Sequence, residues 1–488
     1  MSNSPSITGN FILNLFRVLS AVVLGVCTLP YLNRALGVDN MGKIEYVYTI
    51  INYFVLFSAL GIPTYGVREI AKNRDNMRQL YKVIYELLII LFCTTILSYI
   101  IIFCLIYNLN IFSDYKQLIL IMSVMVFLSN IGMEWVFYGI ENQRFITIRS
   151  LITRSITLVS IFIFIKSESD YYIYAFFLSG LSLAGNFFNL YYVTSRIRKL
   201  SFSFSELDIK RHIRPIMTIF IATISINIYV QLDNFLIGLI CGDKYVAYYA
   251  LSNKLIRHSI VIVTIIGSIM LPRLSFLIQK DKDMYVRYLN KTFEVMMILA
   301  IPFSIFFFIF ASDIILVMGG ADFSASILTV KILSPLCIIV SLAYFLGFLV
   351  LYPYGLEKIY TKATIYSAGF SIIFNVFMIK YFKQNGAAVT AICCEIVAIA
   401  IMLYATNKQV LFKYSIFDVN FLKIISINLS IIVIFGIFKI IYNSDLEFFK
   451  FCLAGLTFFG LYGLLLLVFK ERNSSELFNQ FIVKKIKR

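Results

Sequence analysis

Lys254, Arg257 and His258 lie in LSNKLIRHSIVIVTI (251–265), a stretch otherwise apolar enough to sit in lipid. At about 100° per residue their side chains share one helix face. A cation near mid-bilayer costs roughly 2.5–3.5 kcal/mol, so such residues are expected to pair with acids or to face protein and water. Five basic residues fall inside apolar spans and away from their ends: Arg17, Arg154, Lys254, Arg257 and Lys331. With a rise of about 1.5 Å per residue, three acids match three of these in depth. The candidate ion pairs, for packing or for coupling, are Asp233–Lys254, Glu134–Arg154 and Lys331–Glu395. Arg17 and Arg257 stand about 15 Å deep with no acid left at their level. Asn10, Asn14 and Arg17 follow i, i+4, i+7 spacing, as do Asn227, Gln231 and Asn234. Polar stripes on several helices imply a hydrated cavity, and leftover guanidiniums make it positive. Such a cavity suits an anion, because guanidinium forks bind phosphate bidentately and the attraction strengthens at low dielectric. Arg17, Asn14, Lys254 and Arg257 are therefore candidate substrate contacts. His258 joins them on the same face, although hydrogen-bonded packing is the plainer reading of a single intramembrane histidine.

The elements that must position these residues follow from composition. The chain is 60% hydrophobic and 14% charged, with a mean hydropathy of +0.86 over 488 residues. A soluble domain cannot hide so much apolar surface, so an all-α polytopic membrane protein is expected. Runs able to cross about 30 Å of hydrocarbon fall at 8–30, 44–62, 83–107, 118–140, 148–165, 171–194, 214–240, 246–271, 292–311, 326–352, 361–381, 386–406, 421–441 and 449–469. That makes fourteen spans, of which the fifth and ninth are short enough to be re-entrant. Nothing basic precedes Arg17 and no small-residue cleavage site follows the first span, so a removable signal is not expected.

With a cytoplasmic N-terminus, the inner connections and tail carry 29 Lys and Arg and the outer connections nine. That imbalance places both termini in the cytoplasm, because basic loops resist translocation. The net charge of +17 is then mostly topology and gives no reason to expect a nucleic-acid partner. The basic tail, ending Lys484, Lys485, Lys487 and Arg488, reads as a stop-transfer and solubility feature before a headgroup contact. The eight cysteines lie in apolar stretches without metal-ligand spacing and read as packing residues; no metal or cofactor is expected.

A faint repeat runs through the chain. LGVDNMGKIEY (36–46) echoes ICGDKYVAYYA (240–250), and KNRDNMRQLYK (72–82) echoes QKDKDMYVRYLNK (279–291). The offset suggests two six-helix bundles of like orientation around a central cavity. The expected lobes are 1–200 and 201–412, followed by two further spans at 413–470 and a basic cytoplasmic tail at 471–488. Pro302 and Pro335 fall inside spans nine and ten and are hinge candidates, with a static kink as the commoner outcome.

LPYLNRALGVDNMG (29–42), GIPTYGVREIAK (61–72), GMEWVFYGIEN (132–142) and QLDNFLIGLICGDKYVAYYALSNKL (231–255) make the chain resemble the polysaccharide transporter family, specifically the Wzx-type O-antigen flippases of the multidrug/oligosaccharidyl-lipid/polysaccharide superfamily. The resemblance implies two lobes around a cationic cavity that opens alternately to each side and carries an undecaprenyl-diphosphate-linked O-antigen or capsular repeat unit outward. It implies the bacterial inner membrane, with a polysaccharide polymerase and chain-length machinery as partners and gradient coupling as proposed for such families. By that analogy Arg17, Lys254 and Arg257 match cavity cations, and the two last spans form a groove for the lipid tail.

A drug exporter of the same superfamily would want carboxylates facing a cationic substrate. A peptidoglycan-precursor flippase also fits a cationic fourteen-span frame. A membrane glycosyltransferase or glycan polymerase would need a positioned base or a metal-binding acidic motif on the outer side. This chain offers short outer connections with isolated acids such as Asp39 and Asp243, so a non-enzyme is expected.

Overall fold

The computed structural model describes residues 7–197, 206–409, 419–441, 448–469 and 471, and among them every regular element is helical. Lipid offers the backbone no hydrogen-bond partners, and a helix satisfies its own. Eleven helical segments are long and apolar enough to cross a membrane. Two of them carry two crossings each. Helix α1 (Ile7–Ala59) has 53 residues and leaves helical geometry at Gly37, with φ 72° and ψ 171°. Drawn straight it would measure about 80 Å, more than twice the hydrocarbon thickness. Helix α15 (Glu357–Gln409) likewise breaks at Lys383, φ 53° and ψ −132°. There the chain doubles back so tightly that a Cβ on Gly386 would stand 2.1 Å from the Met378 carbonyl oxygen. Together with α9 (Lys210–Cys241), 32 residues long, these elements account for all fourteen expected spans. The two spans that looked short extend as α6 (Gln143–Phe164) and α11 (Lys282–Ile309), both long enough to cross. A re-entrant reading is not needed.

The chain divides into two compact units, Met1–Ala247 and Tyr248–Arg488. The repeat puts its boundary near residue 200, before α9; in the structure α9 packs on α1 and on α2 (Ile62–Asn73) within the first unit. That unit also holds α3 (Met77–Asn108), α4 (Lys116–Ile131), α5 (Glu134–Gly139), α6, α7 (Tyr171–Ser179) and α8 (Asn186–Ile197). Trp135, Phe137, Tyr65 and Ile84 anchor its apolar core between α2, α3 and α5.

The second unit contains α10 (Asp243–Lys280), most of whose length lies beyond the boundary, then α11, α12 (Ala311–Met318), α13 (Ser326–Leu333), α14 (Leu336–Tyr344), α15, α16 (Val419–Ile441) and α17 (Phe448–Val468). The last two helices are fixed to α11 and α12. Phe306 and Phe310 meet Phe435 and Phe458 in an aromatic cluster with centroid separations of 4.9–6.2 Å. Lys439 Nζ donates to both oxygens of the fully buried Asp313 at 2.8 Å, and Tyr462 Oη donates to the Ile298 carbonyl at 2.9 Å.

Three spans expected as continuous helices are broken. The fourth parts at Gly132–Met133, where Met133 is left-handed at φ 41°. The sixth loosens between Gly180 and Gly185, and the tenth breaks at Ser334–Pro335 before a π-helical run at Phe345–Leu351. Pro335 thus occupies a true discontinuity, whereas Pro302 is buried inside the unbroken α11.

Candidate functional site: an arginine cluster at a broken helix

The break in the fourth span builds a polar site in the first unit. A Cβ on Gly132 would come within 2.6 Å of Asn186 Nδ2, so glycine lets α8 approach the break. Asn186 Nδ2 donates to the Leu128 carbonyl at 2.8 Å, and Asn189 Nδ2 donates to the carbonyl of Gly132. These amides satisfy oxygens that the interrupted helix releases. Beyond the break, Glu134 opens α5 and receives two guanidiniums. Arg149 Nη2 on α6 lies 2.5 Å from its Oε1, and Arg17 Nη1 on α1 lies 3.1 Å from its Oε2. Arg17 also donates to Tyr138 Oη, and Arg149 to Asn186 Oδ1. Arg154 Nη1 donates to the backbone carbonyl of Arg17 at 2.8 Å.

Three guanidiniums against one carboxylate give these four side chains a positive formal balance. Arg149 is only 10% exposed and Arg17 15%, whereas Glu134 is 37% exposed. The carboxylate is therefore the open face of the cluster. It borders a cavity of about 640 Å³, lined also by Tyr138 and Asn186 and by apolar Val67, Trp135 and Leu183. A volume of that size suits a ligand headgroup. The buried Nε of Arg149 has no hydrogen-bond partner, leaving a strong donor to spare.

Two sequence expectations change here. Glu134 pairs with Arg17 and Arg149, while Arg154 reaches a backbone carbonyl, so the expected Glu134–Arg154 ion pair is replaced. Arg17, expected to stand without an acid at its level, has one. Matching by depth holds only between backbone positions of unbroken helices. A long arginine stem spans several ångströms of difference in height, and the break at Gly132–Met133 alters the register of Glu134. Nothing in the sequence marks Arg149, Tyr138 or Asn186 as members of a site. Arg149, at the inner end of the expected span 148–165, reads in the sequence as a cation of the inner connection; the turn after Gly139 starts α6 at Gln143 and puts Arg149 inside the helix.

The other candidates lie elsewhere. On α10, Arg257 Nε donates to Asn253 Oδ1 at 3.2 Å, and His258 Nδ1 meets the Lys254 carbonyl, the packing role that the plainer reading expects. Lys254, Arg257 and His258 are all half-buried there, and Asp233 is buried on α9. Lys331 is exposed in the last turn of α13, where free carbonyls favour a cation, and forms no ion pair with the half-buried Glu395 of α15 among the described residues. The expected Lys331–Glu395 pair is thus absent, because the break at Ser334–Pro335 ends the helix just beyond Lys331. The side chains of Asn10, Asn14 and Asn227 and the basic tail lie outside the described residues.

A second polar cluster ties α2, α3 and α9. Glu86, fully buried, accepts from Arg211 Nη2 at 2.6 Å and from the Asp208 amide at 2.8 Å, and lies 2.8 Å from His212 Nε2. His212 Nδ1 is 2.7 Å from Tyr65 Oη. The group reads as a clamp on the helix ends.

Comparison with known proteins agrees with this frame. The profile of the family described as "Polysaccharide biosynthesis protein" matches residues 7–278. A protein of Escherichia coli (strain K12) named "Putative O-antigen transporter" is 24% identical over 398 residues, covering 80% of this chain and 95% of that one. One of the same name from Shigella flexneri is 24% identical over 342 residues, covering 65% and 78%. Among solved structures, the lipid II flippase MurJ in an inward closed conformation superposes with a TM-score of 0.72 at 15% identity, covering 97% of this chain and 99% of that one. An inward-facing multidrug resistance MATE transporter of the MOP superfamily gives 0.58 at 14% identity, covering 78% and 96%. The fold is shared with both.

Proposed function

Because this chain belongs to the polysaccharide biosynthesis protein family, we propose that it is a flippase that moves an undecaprenyl-diphosphate-linked oligosaccharide repeat unit, for O-antigen or capsule, from the cytoplasmic to the periplasmic leaflet of the bacterial inner membrane. The observation that carries the reading is the arginine cluster of Arg17, Arg149 and Arg154 among the membrane-spanning helices, which bears more positive than negative charge and borders a cavity through Glu134. A diphosphate has the charge and the acceptor oxygens to use it. Alternating access between the repeat-related halves 1–200 and 201–412 is the proposed motion, with Pro302 and Pro335 as hinges, 413–470 as the seat of the lipid tail, and both termini cytoplasmic. Lys254 and Arg257 extend the cationic path, and Asp233 and Glu395 are candidates for gradient coupling. The chain itself performs no covalent step and hands its cargo to a polysaccharide polymerase and chain-length machinery.

Deletion of the gene, followed by mass analysis of undecaprenyl-linked oligosaccharides, tests this. One complete repeat unit should accumulate, facing the cytoplasm. The fold shared with a lipid II flippase favours peptidoglycan precursor as the second cargo, and accumulation of that precursor instead would select it. No accumulated lipid-linked glycan at all would refute both.

A further inference from the structure

Glu134 occupies the two guanidiniums that an incoming anion would want. Its Oε1 lies 2.5 Å from Arg149 and its Oε2 3.1 Å from Arg17, so one carboxylate bridges helices α1 and α6 as a phosphate would. Yet it fits the site incompletely. The Arg149 Nε stays buried without a partner, and the carboxylate, at 37% exposure, is the most open of the three groups and borders the cavity. A diphosphate brings more acceptor oxygens than a carboxylate, and the Arg149 Nε is a donor that Glu134 does not use. It cannot share the arginines with Glu134 at no cost, because two anions would then face each other within contact distance.

We propose that Glu134 is a built-in counter-anion, held by Arg17 and Arg149 when the site is empty, displaced toward the cavity when a diphosphate binds, and returned to the arginines as the cargo leaves. The inference rests on the flippase reading and deepens it. Displacement requires no new partner, since the carboxylate already borders open space and can turn into it. Its return gives release a driving force that a purely cationic site would lack: an anion bound by three guanidiniums alone would dissociate slowly. Glu134 therefore trades affinity for turnover. It is a positioning residue, acting on the cargo through the arginines.

The test is titration of the purified full chain in lipid nanodiscs with inorganic diphosphate and, separately, with undecaprenyl diphosphate. Undecaprenol controls for the lipid tail. Glu134→Gln should bind both diphosphates about tenfold more tightly than wild type, as expected when a like charge is removed from beside the ligand, while export of lipid-linked glycan in cells falls. Glu134→Asp keeps the charge but is too short to span both guanidiniums, and should tighten binding by a few fold. Arg149→Ala should weaken binding in wild type and in the Glu134→Gln background alike. A mere structural defect would not raise affinity while lowering export. Equal or weaker binding in both Glu134 variants, with Arg149→Ala still weakening it, overturns the counter-anion and leaves the anion site standing. Failure of wild type and both variants to bind either diphosphate removes the anion site and the counter-anion with it. Binding of inorganic diphosphate but not of the lipid form would also overturn the proposal, assigning the site to a free anion.

Discussion

Arg149→Ala is the most direct test of the site, because the residue reads in the sequence as a loop cation and in the structure is the most buried member of the cluster. Its side chain is 10% exposed and makes two charge-assisted hydrogen bonds, one to Glu134 Oε1 at 2.5 Å and one to Asn186 Oδ1. Truncation removes one positive charge but leaves Glu134 paired with Arg17 at 3.1 Å, so no buried acid is stranded. Asn186 also keeps its 2.8 Å bond to the Leu128 carbonyl, and the helix break stays capped. The loss in fold stability should accordingly be small, about 1–2 kcal/mol. Binding is affected more. A charge-assisted contact to phosphate contributes about 1.5–3 kcal/mol, which corresponds to roughly 10- to 150-fold in affinity. Export should drop by a similar factor at limiting cargo, measured as surface polysaccharide normalised to protein abundance in the membrane. Arg149→Lys should recover part of it, since an ammonium restores the charge but not the fork. Wild-type export by Arg149→Ala at unchanged abundance would refute the assignment of the cluster as the anion site.

Arg17→Ala and Arg257→Ala should each lower export without lowering membrane abundance; if both export normally, neither guanidinium serves the cargo. Asp313→Ala should destabilise the second unit by about 3–5 kcal/mol by leaving Lys439 without the carboxylate that holds it at two distances of 2.8 Å. Adding Lys439→Met should restore much of that in a thermal melt, and simple additivity of the two changes would show that they do not interact. Gly386→Ala should collapse membrane abundance, because its Cβ would meet the Met378 carbonyl at 2.1 Å, whereas Gly369→Ala, with nothing within 4 Å, should be neutral or stabilising by about 0.5–1 kcal/mol.

The spans are legible because burial in lipid imposes one dominant requirement, a long apolar run, and the sequence meets it plainly even where α1 and α15 leave helical geometry at Gly37 and Lys383. The breaks were less legible. Gly132–Met133 sits in an apolar stretch with no proline, and what stabilises it comes from α8, more than fifty residues away, through Asn186 and Asn189. No local pattern announces a partner so distant. The Glu86–His212–Tyr65 clamp is invisible in the sequence for the same reason: its three members come from three helices and meet only where the helices converge.

The positive balance at the broken fourth span does not depend on which charges pair. Arg17 was expected to have no acid at its level, and Glu134 supplies one. Taken alone, that neutralises half of the basis for a positive interior. The same helix break that gives Glu134 to Arg17 also draws in Arg149, which the sequence placed at the membrane edge, and Arg154 docks on the backbone of Arg17 without any acid. Charge is conserved under repairing of partners: three guanidiniums and one carboxylate gathered beside one cavity remain cationic whichever of them touch. What the structure changes is the meaning of the acid. Glu134, expected as a packing partner for one helix pair, lies between Arg17 and Arg149 and borders a 640 Å³ cavity, so the proposed anion would have to compete with it for the two guanidiniums.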